Sequence, residues 1–91
     1  MTFNIEERKK QRDETLIKAY SHYYNGEYLG YSVSLNLQEK TDRETYLAYI
    51  YLKEKKYIHI FNHHSTEKFN VEITASGIDR AEEIIKGYSR D

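Results

Sequence analysis

Two pentads of strand-forming residues, Tyr57-Ile58-His59-Ile60-Phe61 and Phe69-Asn70-Val71-Glu72-Ile73, decide how this chain reads. The second alternates cleanly, placing Phe69, Val71 and Ile73 on one face, which is the period of a half-buried strand. Seven polar residues, Asn62 to Lys68, separate the two. Two strands joined by such a segment predict an antiparallel hairpin with a flexible tip.

Working outward, the chain is helical on both sides. After the second pentad, Thr74 or Ser76 can cap a helix whose apolar stripe is Ile78, Ala81, Ile84 and Ile85, with Gly87 as its expected end. Before the first pentad, Thr41 is followed three residues later by Glu44, the spacing of a capping box. A helix is therefore expected from Asp42 to about Lys55. Its face Thr45, Ala48, Tyr49 and Leu52 should meet the first helix. Leu47, Ile50 and Tyr51 extend the apolar surface and predict burial over more than half the circumference.

The N-terminal helix should begin at Thr2 or Asn4 and end at Tyr24, before Asn25-Gly26. Its opening part, Glu6 to Glu14, is a charged extension with four acids and four bases, expected to project into solvent or meet a partner. From Leu16 onward, Leu16, Ile17, Tyr20, Tyr23 and Tyr24 form one helical stripe. Residues 27 to 40 stay open. Tyr28-Leu29-Gly30-Tyr31 suits a short strand, while Ser32 to Gln38 suits a short helix or an extended piece.

Ninety-one residues fit a single domain spanning 1–91, with residues 1–14 as its charged extension. Fourteen Lys and Arg against 15 Asp and Glu leave a net charge of -1, and 10 tyrosines supply much of the apolar material. No cysteine is present, which excludes disulfides and thiolate metal sites. No apolar run approaches the ~20 residues of a membrane span, and the N-terminus is too polar for a secretory signal. A cytoplasmic protein without membrane contact is expected.

The order helix, short element, helix, hairpin, helix resembles a winged helix-turn-helix domain. The likeness is carried by Tyr51-Leu52-Lys53-Glu54-Lys55-Lys56-Tyr57-Ile58, similar to a recognition helix entering the first wing strand. Ile73-Thr74-Ala75-Ser76-Gly77-Ile78-Asp79-Arg80-Ala81-Glu82 is similar to the second wing strand turning into a C-terminal helix. Small PadR-like and MarR-like regulators, and short bacterial and phage proteins, share this arrangement. The resemblance covers roughly residues 42 to 86. It departs at Lys56, where the family often has Gly, and it asks residues 33–40 to supply the helix before the recognition helix.

The resemblance implies an α+β fold of three or four helices with a two-stranded wing. It further implies a double-stranded DNA-binding regulator or mobile-element accessory, dimeric through its terminal helices. Carried over by position, Lys40, Thr41, Arg43 and Tyr46 would face the major groove, with Arg43 best suited to a guanine edge. Lys53, Lys55, Lys56 and Lys68 would sit near phosphates, and Ser65 and Thr66 at the wing tip would donate to phosphate oxygens.

Charge weighs against this. Lys53 to Lys68 is net +2, but Glu72 to Asp91 is net -2, and a domain that grips DNA alone usually shows a stronger basic bias. The rival expectation is a winged helix used for protein contacts. His59, His63 and His64 fall within six positions but lack a completing ligand set, so they read as solvated wing residues, and no metal or cofactor is expected. Tyr20, Tyr23, Tyr24, Tyr28 and Tyr31 could stack on bases, but their spacing favours core or interface packing. No nucleophile elbow, phosphate-cradling loop or metalloprotease motif appears, and an enzyme is not expected.

Overall fold

The computed structural model describes residues 4–88. Its elements are α1 (Ile5–Tyr24), β1 (Tyr31–Ser34), α2 (Lys40–Glu54), β2 (Ile58–Ser65), β3 (Lys68–Ile73) and α3 (Ala75–Tyr88). The strands form one antiparallel sheet in the order β1-β3-β2, with Tyr31 opposite Val71 and Ile60 opposite Val71 from the other side. The fold is α+β, with three helices and three strands among the described residues.

Each helix start has a local cause. Asn4 caps α1 in a reciprocal box: its Oδ1 accepts from the Glu7 amide at 2.7 Å, and the Asn4 amide donates to Glu7 Oε1 at 3.3 Å. The alternative start at Thr2 lies outside the described residues. Gly26, at φ 104°, takes the chain out of α1. Thr74 caps α3, accepting from the Gly77 amide at 3.0 Å while its own hydroxyl donates to the Lys56 carbonyl at 2.8 Å. Gly87 does not end α3. The helix continues to Tyr88, because Gly87 keeps a helical backbone rather than the left-handed one that closes a helix.

Helix α2 departs from its expected start. Its N-cap is Glu39, which makes no side-chain cap, so the Thr41–Glu44 box does not form. Asp42 instead accepts from the Asn36 amide at 2.8 Å, and Glu44 is drawn to Arg8. Residues 35–39 are a turn. The segment 33–40 therefore supplies the end of β1 and a turn, not a helix, and α1 is the helix packed along α2.

The corner from α2 to β2 is a Schellman motif. The Lys56 amide donates to Lys53 O at 2.9 Å, the Tyr57 amide donates to Leu52 O at 3.0 Å, and Lys56 sits at φ 66°. The glycine-type conformation is thus present although the residue is lysine.

The polar segment after Phe61 is not a long loose tip. Strand β2 continues to Ser65, leaving only Thr66 and Glu67 between the strands. The surplus is absorbed in a bulge: Asn62, His63 and His64 stand against Phe69 alone, and Asn62 has φ 49°.

The core lies between the helices and one sheet face. Phe69, Val71 and Ile73 of β3 meet Leu16 and Ala19 of α1, Tyr49 and Leu52 of α2, Ile58 of β2, and Ala81 and Ile84 of α3. Tyr31 and Tyr49 are buried together with their hydroxyls 3.3 Å apart, each relieving the other's desolvation. Burial raises both phenol pKa values above the usual tyrosine range.

Candidate interaction surface on helix α2

Helix α2 is covered on one side only. Ala48, Tyr49 and Leu52 are buried, but Leu47 is 57% exposed and Tyr51 38%, with Ile50 half-buried between them. The expected burial over more than half the cylinder is therefore not realised. Among the described residues no helix or strand covers Leu47, which faces solvent. Tyr24, assigned to the α1 stripe by spacing, is likewise 60% exposed, because α1 ends before the sheet can cover it.

The first half of α1 borders this face instead of projecting freely. Arg8 Nε pairs with Glu44 at 3.3 Å, Gln11 donates to the Thr45 hydroxyl at 3.0 Å, and the Arg12 guanidinium lies 4.0 Å from the Tyr51 ring centroid. Arg8, Gln11, Arg12, Glu44, Leu47 and Ala48 line a groove of about 190 Å³ along the seam.

The residues singled out from the sequence divide into two groups. Lys40 and Thr41 are exposed in the first turn of α2. Arg43 turns back on its own chain, donating through one guanidinium nitrogen to Leu37 O at 3.0 Å and Gln38 O at 3.2 Å. Tyr46 is half-buried, its ring edge-on to Phe69 with centroids 6.0 Å apart. The hairpin tip comes to this same end. The Leu35 amide donates to Glu67 O at 2.8 Å and the Leu37 amide to Glu67 Oε2 at 2.9 Å. Ser65, Thr66 and Lys68 thus lie near the start of α2, with Ser65 Oγ accepting from the Glu67 amide at 3.1 Å.

Lys53, Lys55 and Lys56 form the second group at the far end, roughly 20 Å away along a 15-residue helix. Lys55 shares a groove of about 250 Å³ with Lys9, Arg12, Arg80 and the rings of Tyr51 and Tyr57. Arg80 there pairs with Glu83 at 3.2 Å.

Sequence reasoning did not single out Glu67, which ties the hairpin to the α2 entry, or Arg12, which stacks on Tyr51. Neither has a motif; each is defined by a partner distant in sequence. His59 and His64 are exposed, and the His63 ring packs edge-on against Phe69 at 5.6 Å. Among the described residues, no three His, Cys, Asp or Glu side chains gather as metal ligands, and no helix is long and apolar enough to cross a membrane.

The expected dimer surfaces on the terminal helices are partly spent within the subunit. Ala19 of α1 and Ala81 and Ile84 of α3 lie in the core, and the Tyr20 hydroxyl donates to Glu82 at 2.9 Å. No family model, curated protein or solved structure matches the chain.

Proposed function

We propose that this chain is a winged-helix variant that works as a protein-interaction module, with the outward face of α2 as its contact surface. The run of α2 into a hairpin and of the hairpin into α3 supports the winged-helix reading. The observation that carries the function is the apolar strip of exposed Leu47 and Tyr51 with half-buried Ile50 between them, where a DNA reader would present polar, cationic side chains. Tyr and Arg beside an exposed apolar residue suit a desolvated protein contact better than a phosphate backbone.

A photo-crosslinking amino acid placed at position 47 tests this in cells. Protease-sensitive adducts are expected. Adducts that disappear with nuclease would overturn the reading.

The second reading is duplex DNA binding, favoured by the groove where Lys9, Arg12, Lys55 and Arg80 converge. A fluorescence titration with mixed duplex DNA at low and high salt separates the two. The interaction module predicts no salt-sensitive binding. Binding that falls with salt and is weakened by Lys9→Ala and Lys55→Ala supports the regulator.

A further inference from the structure

The open side of α2 carries its own complement. Residues Lys40, Arg43, Leu47, Ile50 and Glu54, all exposed except the half-buried Ile50, follow one another at alternating steps of three and four, the repeat that keeps one seam facing a partner helix. Along that seam the N-terminal part is cationic, the middle apolar and the C-terminal end anionic. Lys53 and Lys55, beside Glu54, leave the helix about 100° to either side of it and fall off the seam.

Running a second α2 antiparallel, with a two-fold axis between Leu47 and Ile50, aligns these parts. Leu47 meets the Ile50 position of the other helix, and Ile50 meets its Leu47. Arg43 meets Glu54, and Glu54 meets Arg43. The two apolar layers are closed at both ends by opposite charges, and each helix N-terminus lies beside the other's C-terminus, which the helix dipoles favour. A parallel arrangement sets Arg43 on Arg43 and Glu54 on Glu54. We infer that the partner of this face is a second copy of the chain, in an antiparallel, isologous α2–α2 dimer.

Two features prepare the surface. Arg43 is anchored through one guanidinium nitrogen to Leu37 O and Gln38 O, which fixes its direction while its remaining donors stay available for a carboxylate. The groove between α1 and α2 beside Leu47 supplies a recess next to the apolar layers. One short helix per subunit is a small contact, so the dimer is expected to be reversible and concentration-dependent. The inference rests on the interaction-module reading but can fail separately from it.

Sedimentation equilibrium of the full chain over a wide concentration range is the test. Wild type is expected to show a reversible monomer–dimer equilibrium, weakened at least tenfold by Leu47→Arg. Arg43→Glu and Glu54→Arg are each expected to be monomeric alone, because each places like charges across both ends. Mixing those two variants restores opposite charges at both ends and should return a dimer. Circular dichroism of each variant reports folding, and Leu47→Arg, at an exposed position, needs no rearrangement of the core.

A wild-type chain that stays monomeric throughout overturns the inference, as does a Leu47→Arg chain that dimerises like wild type. Failure of the mixture to associate also overturns it. A monomer whose position-47 adducts are protease-sensitive leaves the interaction module standing with a different partner. A dimer that also binds DNA in a salt-sensitive way defeats the module and leaves the α2 pairing intact.

Discussion

Lys56→Gly is expected to stabilise this protein. Lys56 sits at φ 66° between α2 and β2, where a residue with a Cβ crowds its own carbonyl at about 1–2 kcal/mol. Its side chain is exposed, while its amide and the next one complete the Schellman bonds to Lys53 O and Leu52 O. Glycine keeps both bonds and removes the crowding. It also loosens the unfolded chain, which offsets roughly 0.4–1 kcal/mol of the gain. The net expectation is about 0.5–1 kcal/mol. For a chain of this length that is a rise in Tm of roughly 2–8 °C. Thermal unfolding followed by circular dichroism at one fixed protein concentration measures it. Lys56→Ala is the control, since alanine loses the charge but keeps the Cβ. An unchanged or lowered Tm for Lys56→Gly, or an equal rise for Lys56→Ala, refutes the conformational argument.

Three further outcomes follow from the same framework. A Cβ at position 77 would run into the Tyr57 carbonyl oxygen and lie 2.7 Å from Ile73 Cγ1, so Gly77→Ala should cost about 1–3 kcal/mol in a denaturant titration. Thr74→Ala removes the α3 cap and the bond to Lys56 O, and should destabilise by about 1–2 kcal/mol in the same assay. The buried phenols of Tyr31 and Tyr49 have pKa values raised by desolvation, so the unfolded chain gives up these protons first as pH rises. Stability should hold up to the ordinary tyrosine range near pH ~10 and fall above it, less steeply in Tyr49→Phe. A urea midpoint with no decline at high pH would contradict this.

How much was legible in the sequence depended on how local each cause was. The α1 capping residue, the left-handed exit at Gly26 and the Thr74 cap are decided within a few residues: the pattern located the exit and narrowed each cap to two candidates, of which Asn4 and Thr74 are used. The alternation of Phe69, Val71 and Ile73 named the inward face of β3 correctly. The Thr41–Glu44 box failed because α2 begins earlier, with Glu39 as its N-cap and Thr41 already inside the helix, and because Glu44 is claimed by Arg8, 36 residues away. The hairpin tip was misjudged because polarity alone does not separate a loop from a bulged edge strand.

For the candidate site, composition placed cations on α2 and around the hairpin, but it could not say which would be occupied. Arg43 reads as a free guanidinium until the turn at Leu37 and Gln38 folds beneath it. Leu47 and Tyr51 read as core because amphipathic spacing counts apolar residues and is blind to whether a neighbour arrives to cover them. The chain's own letters determined the three helices, the two hairpin strands, their order and the inward face of β3, since these follow from short-range hydrogen bonding and periodicity, while the segment that became β1 stayed open. Only the folded arrangement decided which side of α2 stayed open. That depends on where α1 and the sheet come to rest, and contacts across tens of residues set that position.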